Sequence, residues 1–183
     1  MLFEEKTIIL KNGQSAILRN PRVEDAKALI DFIKTTSGET EFLLRYPEEW
    51  SLTVEQEENW VKRSVESQHN LVITCFIDGE VAGNCEIGFY NGIKNRHRSV
   101  IAISVLKKYW SLGIGSAMMN ELINAARNHE GTEIIELEVI EGNERGIRLY
   151  EKMGFRIMAE KPNAFKLKDG TLVKDFYMQK YLN

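Results

Sequence analysis

The chain has 183 residues, 43% of them hydrophobic and 28% charged, which suits a globular protein of one domain spanning residues 1–183. Its net charge of −3 argues against binding nucleic acid through a broad basic field. No run of about 20 apolar residues predicts a membrane span, and the acidic N-terminal residues do not fit a signal peptide, so we expect a cytoplasmic protein.

The first half of the chain predicts two hairpins separated by two helices. Short apolar stretches at residues 7–10 and 15–19 flank the turn-forming pair Asn12-Gly13. Pro21 opens a helical pattern, and Thr53 with Gln56 is typical of a capping box for a second helix that runs to about residue 67. The second hairpin follows at residues 71–77 and 81–90. The loop between the helices is rich in aromatic residues, which either pack over the core or line a substrate site.

The second half of the chain predicts strands that alternate with helices. Strands are expected at residues 99–105, 134–140, 155–160 and 172–181, and helices at residues 113–128 and 143–153. Early hairpins and late strand–helix–strand crossovers together predict an α/β fold with a mixed, mostly antiparallel central sheet of about seven strands flanked by helices.

Two cysteines and one basic cluster have unremarkable interpretations. Cys75 and Cys85 fall within predicted strands without metal-ligand spacing, so we expect reduced core residues; a catalytic cysteine is the alternative. The basic cluster at residues 94–98 is expected to be a solvated loop.

The segment from Val105 to Ala117 carries the first chemical signal. Gly113 and Gly115 lie between a strand end and a helix start, where glycines let the backbone approach a ligand and free N–H groups suit a pyrophosphate. The segment lacks the lysine of a P-loop, and Met118 replaces the third glycine of a dinucleotide-binding fold. On its own, the glycine pair is equally compatible with a tight connection.

A second segment follows in order, with Asn143 after a strand and then Leu149-Tyr150-Glu-Lys-Met-Gly154-Phe155. Together, the two segments resemble the GNAT superfamily of N-acetyltransferases over about residues 98–156. The match departs from the family pattern at Trp110, which stands where the family has Gln or Arg. This variant looks like the branch that acetylates ribosomal-protein N-termini and polyamines. The resemblance implies the acyl-CoA N-acyltransferase fold.

The resemblance also implies acetyl-CoA as co-substrate and a binding site for it. The backbone at Val105 would bond the pantetheine arm, and Asn143 would contact that arm or merely cap the next helix. The pyrophosphate would be surrounded by the amides of six consecutive residues: Leu112, Gly113, Ile114, Gly115, Ser116 and Ala117.

Catalytic roles follow from the same resemblance. Tyr150 would protonate the departing thiolate, although a buried helix aromatic is the alternative. An alkylammonium must lose a proton before it attacks, and Glu138 is the first candidate base, with Glu86 and His97 as alternatives. A solvent-facing strand residue is the alternative interpretation of Glu138.

The expected function is therefore acetyl transfer from acetyl-CoA to a primary amine, directly and within a ternary complex. The acceptor is an amine-bearing small molecule or a protein N-terminus, chosen by residues 36–60 and the last hairpin; nucleic acid, membrane and metal are not expected. A non-catalytic acyl-CoA sensor and a nucleotide-binding oxidoreductase are the competing classes. The resemblance leaves homodimerisation open.

Overall fold

A computed structural model describes residues 1–182 as one sheet of eight strands with four helices packed on its two faces. The strands are β1 Lys6–Ile9, β2 Ser15–Arg19, β3 Asn70–Ile77, β4 Glu80–Phe89, β5 Arg98–Val105, β6 Ile134–Ile140, β7 Arg156–Lys166 and β8 Leu172–Tyr181. The helices are α1 Ala26–Glu39, α2 Val54–Glu66, α3 Ile114–Asn128 and α4 Glu144–Lys152.

The sheet is mixed and mostly antiparallel, as the sequence predicts. Its strand order is β1-β2-β3-β4-β5-β6-β8-β7, and β5 with β6 is the parallel pair among the described strands. The sheet has eight strands rather than about seven, since both strands of each predicted hairpin join it and β1 pairs with β2 along all four of its residues.

Local signals place most of the elements. Thr53 accepts a hydrogen bond from the Gln56 amide and Gln56 bonds back to the Thr53 amide, which completes the predicted capping box of α2. Strand β7 differs from its prediction, since it continues from residue 160 to Lys166 through Pro162. Proline is tolerated there because β7 is an edge strand and because residues 162–164 fall in a register shift, where they pair with no residue of β8.

The two faces of the sheet bury different helices. Alternate side chains of β3 and β4, among them Ile73 and Ile87, pack against α3 and the apolar face of α4. The opposite face carries Phe76 and Val81, which pack against Leu29 and Phe32 of α1 and the residues of α2. The face that holds α3 and α4 is called the cofactor face below, and the face that holds α1 and α2 is called the acceptor face.

The parallel pair β5–β6 is short and leaves a gap in the sheet. Only Arg98, Ser99 and Val100 of β5 pair with β6, opposite residues 134–136, while β5 continues to Val105 and β6 to Ile140. Beyond Val100 the two strands therefore run side by side without a ladder between them. This unpaired stretch between β5 and β6 is called the gap below.

Candidate active site

The glycine loop ends in a helix start with unpaired amides. Gly113 caps α3 with φ +102°, a backbone conformation that glycine adopts without steric penalty, and Ser111 also lies at positive φ, +66°. The amide of Ala117 donates to the Gly113 carbonyl at 3.0 Å. Of the six amides named from the sequence, Ala117 is thus engaged inside the helix, whereas those of residues 112–116 bond to no backbone carbonyl of the described chain.

Gly115 is needed for the packing of α3 against α4, in addition to its predicted contact with the cofactor. A Cβ at this position would lie 3.1 Å from Leu149 Cδ2, closer than ordinary side-chain contacts. The missing side chain lets the start of α3 pack closely against α4. Because α4 also carries Asn143 at its N-cap and Tyr150, this contact fixes the distance between the two sequence segments.

Trp110 bonds to the end of β5. Its indole Nε1 donates to the Val105 carbonyl at 2.7 Å, so the side chain braces the loop against the strand. The residue that departs from the family pattern therefore has a structural role here. It leaves the Val105 carbonyl occupied and the Val105 N–H available.

Arg145 was not identified from the sequence, yet it lies against the glycine loop. Its Nη1 donates to Ser111 Oγ at 2.8 Å, and its guanidinium lies 4.8 Å from the centre of a Trp110 ring. Lys11 also reaches this loop, since its amide donates to the Leu112 carbonyl at 3.0 Å. Neither Arg145 nor Lys11 forms an ion pair with a described residue, which leaves positive charge beside the unpaired amides.

The backbone of β5 presents hydrogen-bonding groups to the gap. The Leu106 amide donates to the Ala82 carbonyl at 3.0 Å, which fixes the phase of the antiparallel ladder. In that phase, the main-chain groups of Ile103 and Val105 point away from β4 and toward β6. No ladder bond to β6 meets them, because the β5–β6 pairing ends at Val100.

Asn143 caps α4, as one of its two interpretations predicts. Its Oδ1 accepts a hydrogen bond from the Gly146 amide at 2.9 Å. The side-chain Nδ2 makes no hydrogen bond within residues 1–182 and is available for a ligand. The capping role is established by this geometry, and the contact to the pantetheine arm stays a prediction.

Tyr150 lies on α4 among the core residues of the cofactor face. Its side chain is buried, with 8% of its surface exposed, and its ring lies 6.2 Å from that of Phe155. Burial raises the pKa of Tyr150 to about 12, so the hydroxyl stays protonated at neutral pH. The hydroxyl has no hydrogen-bond partner among the described residues, and its oxygen is accessible although the ring is buried.

Glu138 lies on the acceptor face of β6, beyond the last paired residue of the parallel ladder. Its carboxylate forms an ion pair with Lys161 of β7, and about half of its side chain is exposed. Lys161 also lies 3.6 Å from the buried carboxylate of Asp175. The carboxylate of Glu138 thus already has a cationic partner, and its role as the base stays a prediction.

Glu86 and His97, the other candidate bases, lie in different places. Glu86 is on β4, opposite Ala102 of β5, half-buried and without an ion pair or side-chain hydrogen bond to any residue from 1 to 182. It faces the acceptor side, because its neighbours Cys85 and Ile87 are core residues of the cofactor face and side chains alternate along a strand. His97 precedes β5, at the end of the strand farthest from the glycine loop.

The two segments expected to choose the acceptor meet each other. Tyr46 and Glu48 of the α1–α2 loop contact Lys168 of the β7–β8 turn: the Lys168 amide donates to Tyr46 Oη at 3.2 Å, and its ammonium pairs with Glu48. Trp50 Nε1 donates to Ser37 Oγ at 2.9 Å, which ties the loop to α1. The aromatic loop thus packs against α1 and the β7–β8 turn, and its role in choosing the acceptor stays a prediction.

Other candidate features lie outside this site. Cys75 and Cys85 are buried free thiols, as predicted, and burial raises the pKa of Cys75 to about 12. Within residues 1–182, His, Cys, Asp and Glu form no group of three that could hold a metal ion, and no helix is long and apolar enough to cross a membrane. In the basic cluster Lys94 and Arg96 are exposed, whereas His97 and Arg98 are half-buried and Arg98 pairs with the buried Glu136.

Comparison with known proteins identifies the family. A sequence profile described as "Acetyltransferase (GNAT) family" matches residues 36–155, about two thirds of the chain. The chain is 29% identical over 119 residues to the L-amino acid N-acetyltransferase AaaT of Escherichia coli (strain K12), covering 65% of this chain and 73% of that protein. It is 37% identical over 90 residues to an N-alpha-acetyltransferase of Sulfurisphaera tokodaii, covering 44% of this chain and 53% of that one.

Solved structures agree in fold. The acetyltransferase of GNAT family from Streptococcus pneumoniae superposes with a TM-score of 0.85 at 25% identity, covering 92% of this chain and 99% of that chain. The putative acetyltransferase yncA from Salmonella typhimurium, solved with its cofactor acetyl-CoA, superposes with a TM-score of 0.76 at 20% identity, covering 91% and 93%.

Proposed function

This chain belongs to the acetyltransferase (GNAT) family and is an acetyl-CoA-dependent N-acetyltransferase, and from that premise we propose that it acetylates a primary amine by direct transfer. Both substrates are bound at once, the cofactor entering the gap from the cofactor face and the amine from the acceptor face. We further propose that residues 1–183 act as one N-acetyltransferase domain, which is supported by the continuous sheet from β1 to β7.

The gap between β5 and β6 is the observation that carries this proposal. It combines an interrupted ladder, main-chain groups of Ile103 and Val105 with no partner on β6, and five unpaired amides at the start of α3. A long polar arm with a pyrophosphate at one end fits this combination, because each group on the protein meets a complementary one on the ligand. Bound acetyl-CoA supplies the acetyl thioester.

Arg145 and the loop amides would hold the pyrophosphate. Family members with arginine at position 110 place a positive charge on the loop itself, and Trp110 removes it. In this chain Arg145 restores that charge from α4, held on the Trp110 ring and on Ser111 Oγ. Asn143 Nδ2 is placed to bond the arm from the same end of α4.

Tyr150 would act on the departing thiolate from the cofactor face. The pKa of Tyr150, raised by burial to about 12, lies above the value of about 8.5 of a free thiol, so full transfer of its proton to the thiolate is unfavourable. The hydroxyl therefore stabilises the thiolate as a hydrogen-bond donor, and it releases its proton only as the acetylated nitrogen returns one. Its lack of another partner leaves it free to do so.

The acceptor amine must lose a proton before it attacks. Two carboxylates on the acceptor face, Glu138 and Glu86, are candidates for this step. Positioning of the two substrates supplies the larger part of the rate enhancement, and proton transfer the smaller part.

Calorimetric titration with acetyl-CoA, beside NAD, tests the proposal. We expect micromolar binding of acetyl-CoA alone, weakened at least about 100-fold in Gly113→Glu, which adds both backbone strain and negative charge to the loop. Gly131→Glu is the matched control, because Gly131 also has a positive φ and open space around it. Equal affinity of the two variants, or binding of NAD instead, would contradict the proposal.

Thiol release with an amine panel then separates enzyme from sensor. Turnover of any primary amine supports transfer, whereas tight binding of acetyl-CoA without turnover favours the non-catalytic sensor. A cytoplasmic location and homodimerisation stay predictions, to be checked by cell fractionation and by light scattering.

A further inference from the structure

A small pocket on the acceptor face contains one unpaired carboxylate. Its volume is about 240 Å³, and it is lined by Asn70, Glu86, Gly88, Val100, Ile101 and Ala102. The lining is otherwise apolar or small, apart from the Asn70 amide. Glu86 has neither a cationic partner nor a side-chain hydrogen bond among the described residues, so its charge is uncompensated within the protein.

The pocket adjoins the closed end of the gap. Val100 is the last residue of β5 that pairs with β6, and Ala102, opposite Glu86, lies just inside the unpaired stretch. Val105, at the glycine-loop end, is three residues or about 10 Å farther along the strand. An arm that runs from the glycine loop along β5 therefore brings its far end, where the acetyl group is, to this pocket.

We propose that this pocket is the acceptor subsite, in which Glu86 holds the ammonium group and receives its proton. The inference rests on the proposed function and identifies the residue and the acceptor chemistry that it requires. Glu86 is preferred to Glu138 because Glu138 is ion-paired with Lys161 and half-exposed. An unpaired carboxylate in a small pocket attracts a cation more strongly than one already neutralised.

The charges around the pocket select the acceptor. Arg98, on the same face, is bound to Glu136 through Nε at 2.9 Å and Nη2 at 2.6 Å, and so is neutralised. Tyr90 donates a hydrogen bond to the same carboxylate. None of the described residues that line the pocket is cationic, so a carboxylate next to the amine would be repelled by Glu86 without a compensating charge. The preferred acceptor is thus an alkylamine or a peptide α-amine rather than a free amino acid.

The proton balance of the transfer is complete with these groups. The ammonium gives one proton to Glu86, which passes it to solvent, and the neutral nitrogen attacks the thioester carbonyl. The C–N bond forms and the C–S bond breaks, and the thiolate takes the second proton of the nitrogen by way of Tyr150. The products are the amide, free CoA and one proton in solution.

The test compares Glu86→Gln with Glu55→Gln, which removes the same charge from an exposed position on α2. With leucinamide as acceptor, we expect Glu86→Gln to lower kcat/KM at least about 100-fold at pH 6.5, with acetyl-CoA affinity unchanged. The defect should shrink below about 10-fold at pH 9, above the pKa of about 8 of an α-amine, because the free amine then needs no base. A purely structural role of Glu86 would give a loss that does not depend on pH.

The acceptor class is tested with three amines that share one side chain. At equal concentrations of free amine, leucinamide and isoamylamine should each exceed leucine at least about 10-fold in kcat/KM, and the ratio between the first two separates peptide-like from alkylamine acceptors. Preference for leucine, or identical pH profiles of the two variants, would overturn the inference. Failure of the proposed function is distinct, since the wild-type protein would then not bind acetyl-CoA.

Discussion

Replacing Arg145 tests whether the charge missing from the glycine loop is supplied by α4. Arg145→Gln removes the guanidinium charge that now bonds to Ser111 and lies over the Trp110 ring. A guanidinium about 6 Å from a phosphate charge contributes about 0.7 kcal/mol in a medium of water's dielectric constant and about 2.8 kcal/mol at an effective constant of 20. Because Arg145 is exposed, we take about 1–2 kcal/mol, which predicts a Kd for acetyl-CoA raised about 5- to 30-fold.

Calorimetry at two salt concentrations is the assay, and Arg148→Gln is the control. Arg148 lies on the same helix, is exposed and pairs with Glu144, so its loss removes the same net charge away from the loop. The difference between the variants should largely disappear in 1 M salt, where the screening length falls to about 3 Å. Acetylpantetheine, which has no pyrophosphate, should be used equally well by both variants. Equal Kd values for acetyl-CoA in low salt would refute the reasoning.

Three further changes give separate outcomes. Tyr150→Phe should lower kcat about 10- to 100-fold with little change in melting temperature, since the hydroxyl has no partner in the described chain, and steady-state kinetics with thermal melts will show whether the two separate. Burial raises the pKa of Asp25, but the hydrogen bond and the charge of Arg19 outweigh burial and lower the pKa overall. Asp25→Asn should therefore destabilise the fold by about 1–3 kcal/mol at pH 7. Denaturant titration should find this difference lost as the pH falls below about 4 through the folded-state pKa. Lys168→Glu should raise KM for the acceptor severalfold by repelling Glu48 and loosening the α1–α2 loop, while the Kd for acetyl-CoA measured by calorimetry stays unchanged.

The order of the elements and the cofactor loop could be predicted because their signals are local. The capping box of α2, the positive φ of Gly113 and the cap by Asn143 each depend on residues within a few positions of one another. The length of β7 could not be predicted in this way. Pro162 interrupts a strand pattern, and the edge position of β7 together with the register shift between Lys161 and Phe165 makes that interruption harmless.

Side-chain contacts between residues far apart in the chain could not be predicted from the sequence. Arg145 and Ser111 are 34 residues apart, so nothing in either segment indicates their hydrogen bond. The same applies to the carboxylates: Glu138 resembles the family's base by its position, yet Lys161, from another strand, neutralises it. Glu86 is a candidate because no described cation or hydrogen-bond donor contacts its carboxylate, and only the three-dimensional structure can reveal that.

The short β5–β6 ladder has a thermodynamic consequence. Three residue pairs join a five-stranded part, β1 to β5, to a three-stranded part, β6 to β8, so the ligand that fills the rest of the gap completes the sheet as an additional strand would. Ligand saturation at 100 times Kd adds about 2.7 kcal/mol to the stability of a protein. The abundance of acetyl-CoA would then govern how long this protein resists proteolysis, and the amides of Ile103 and Val105 would report that coupling in hydrogen exchange.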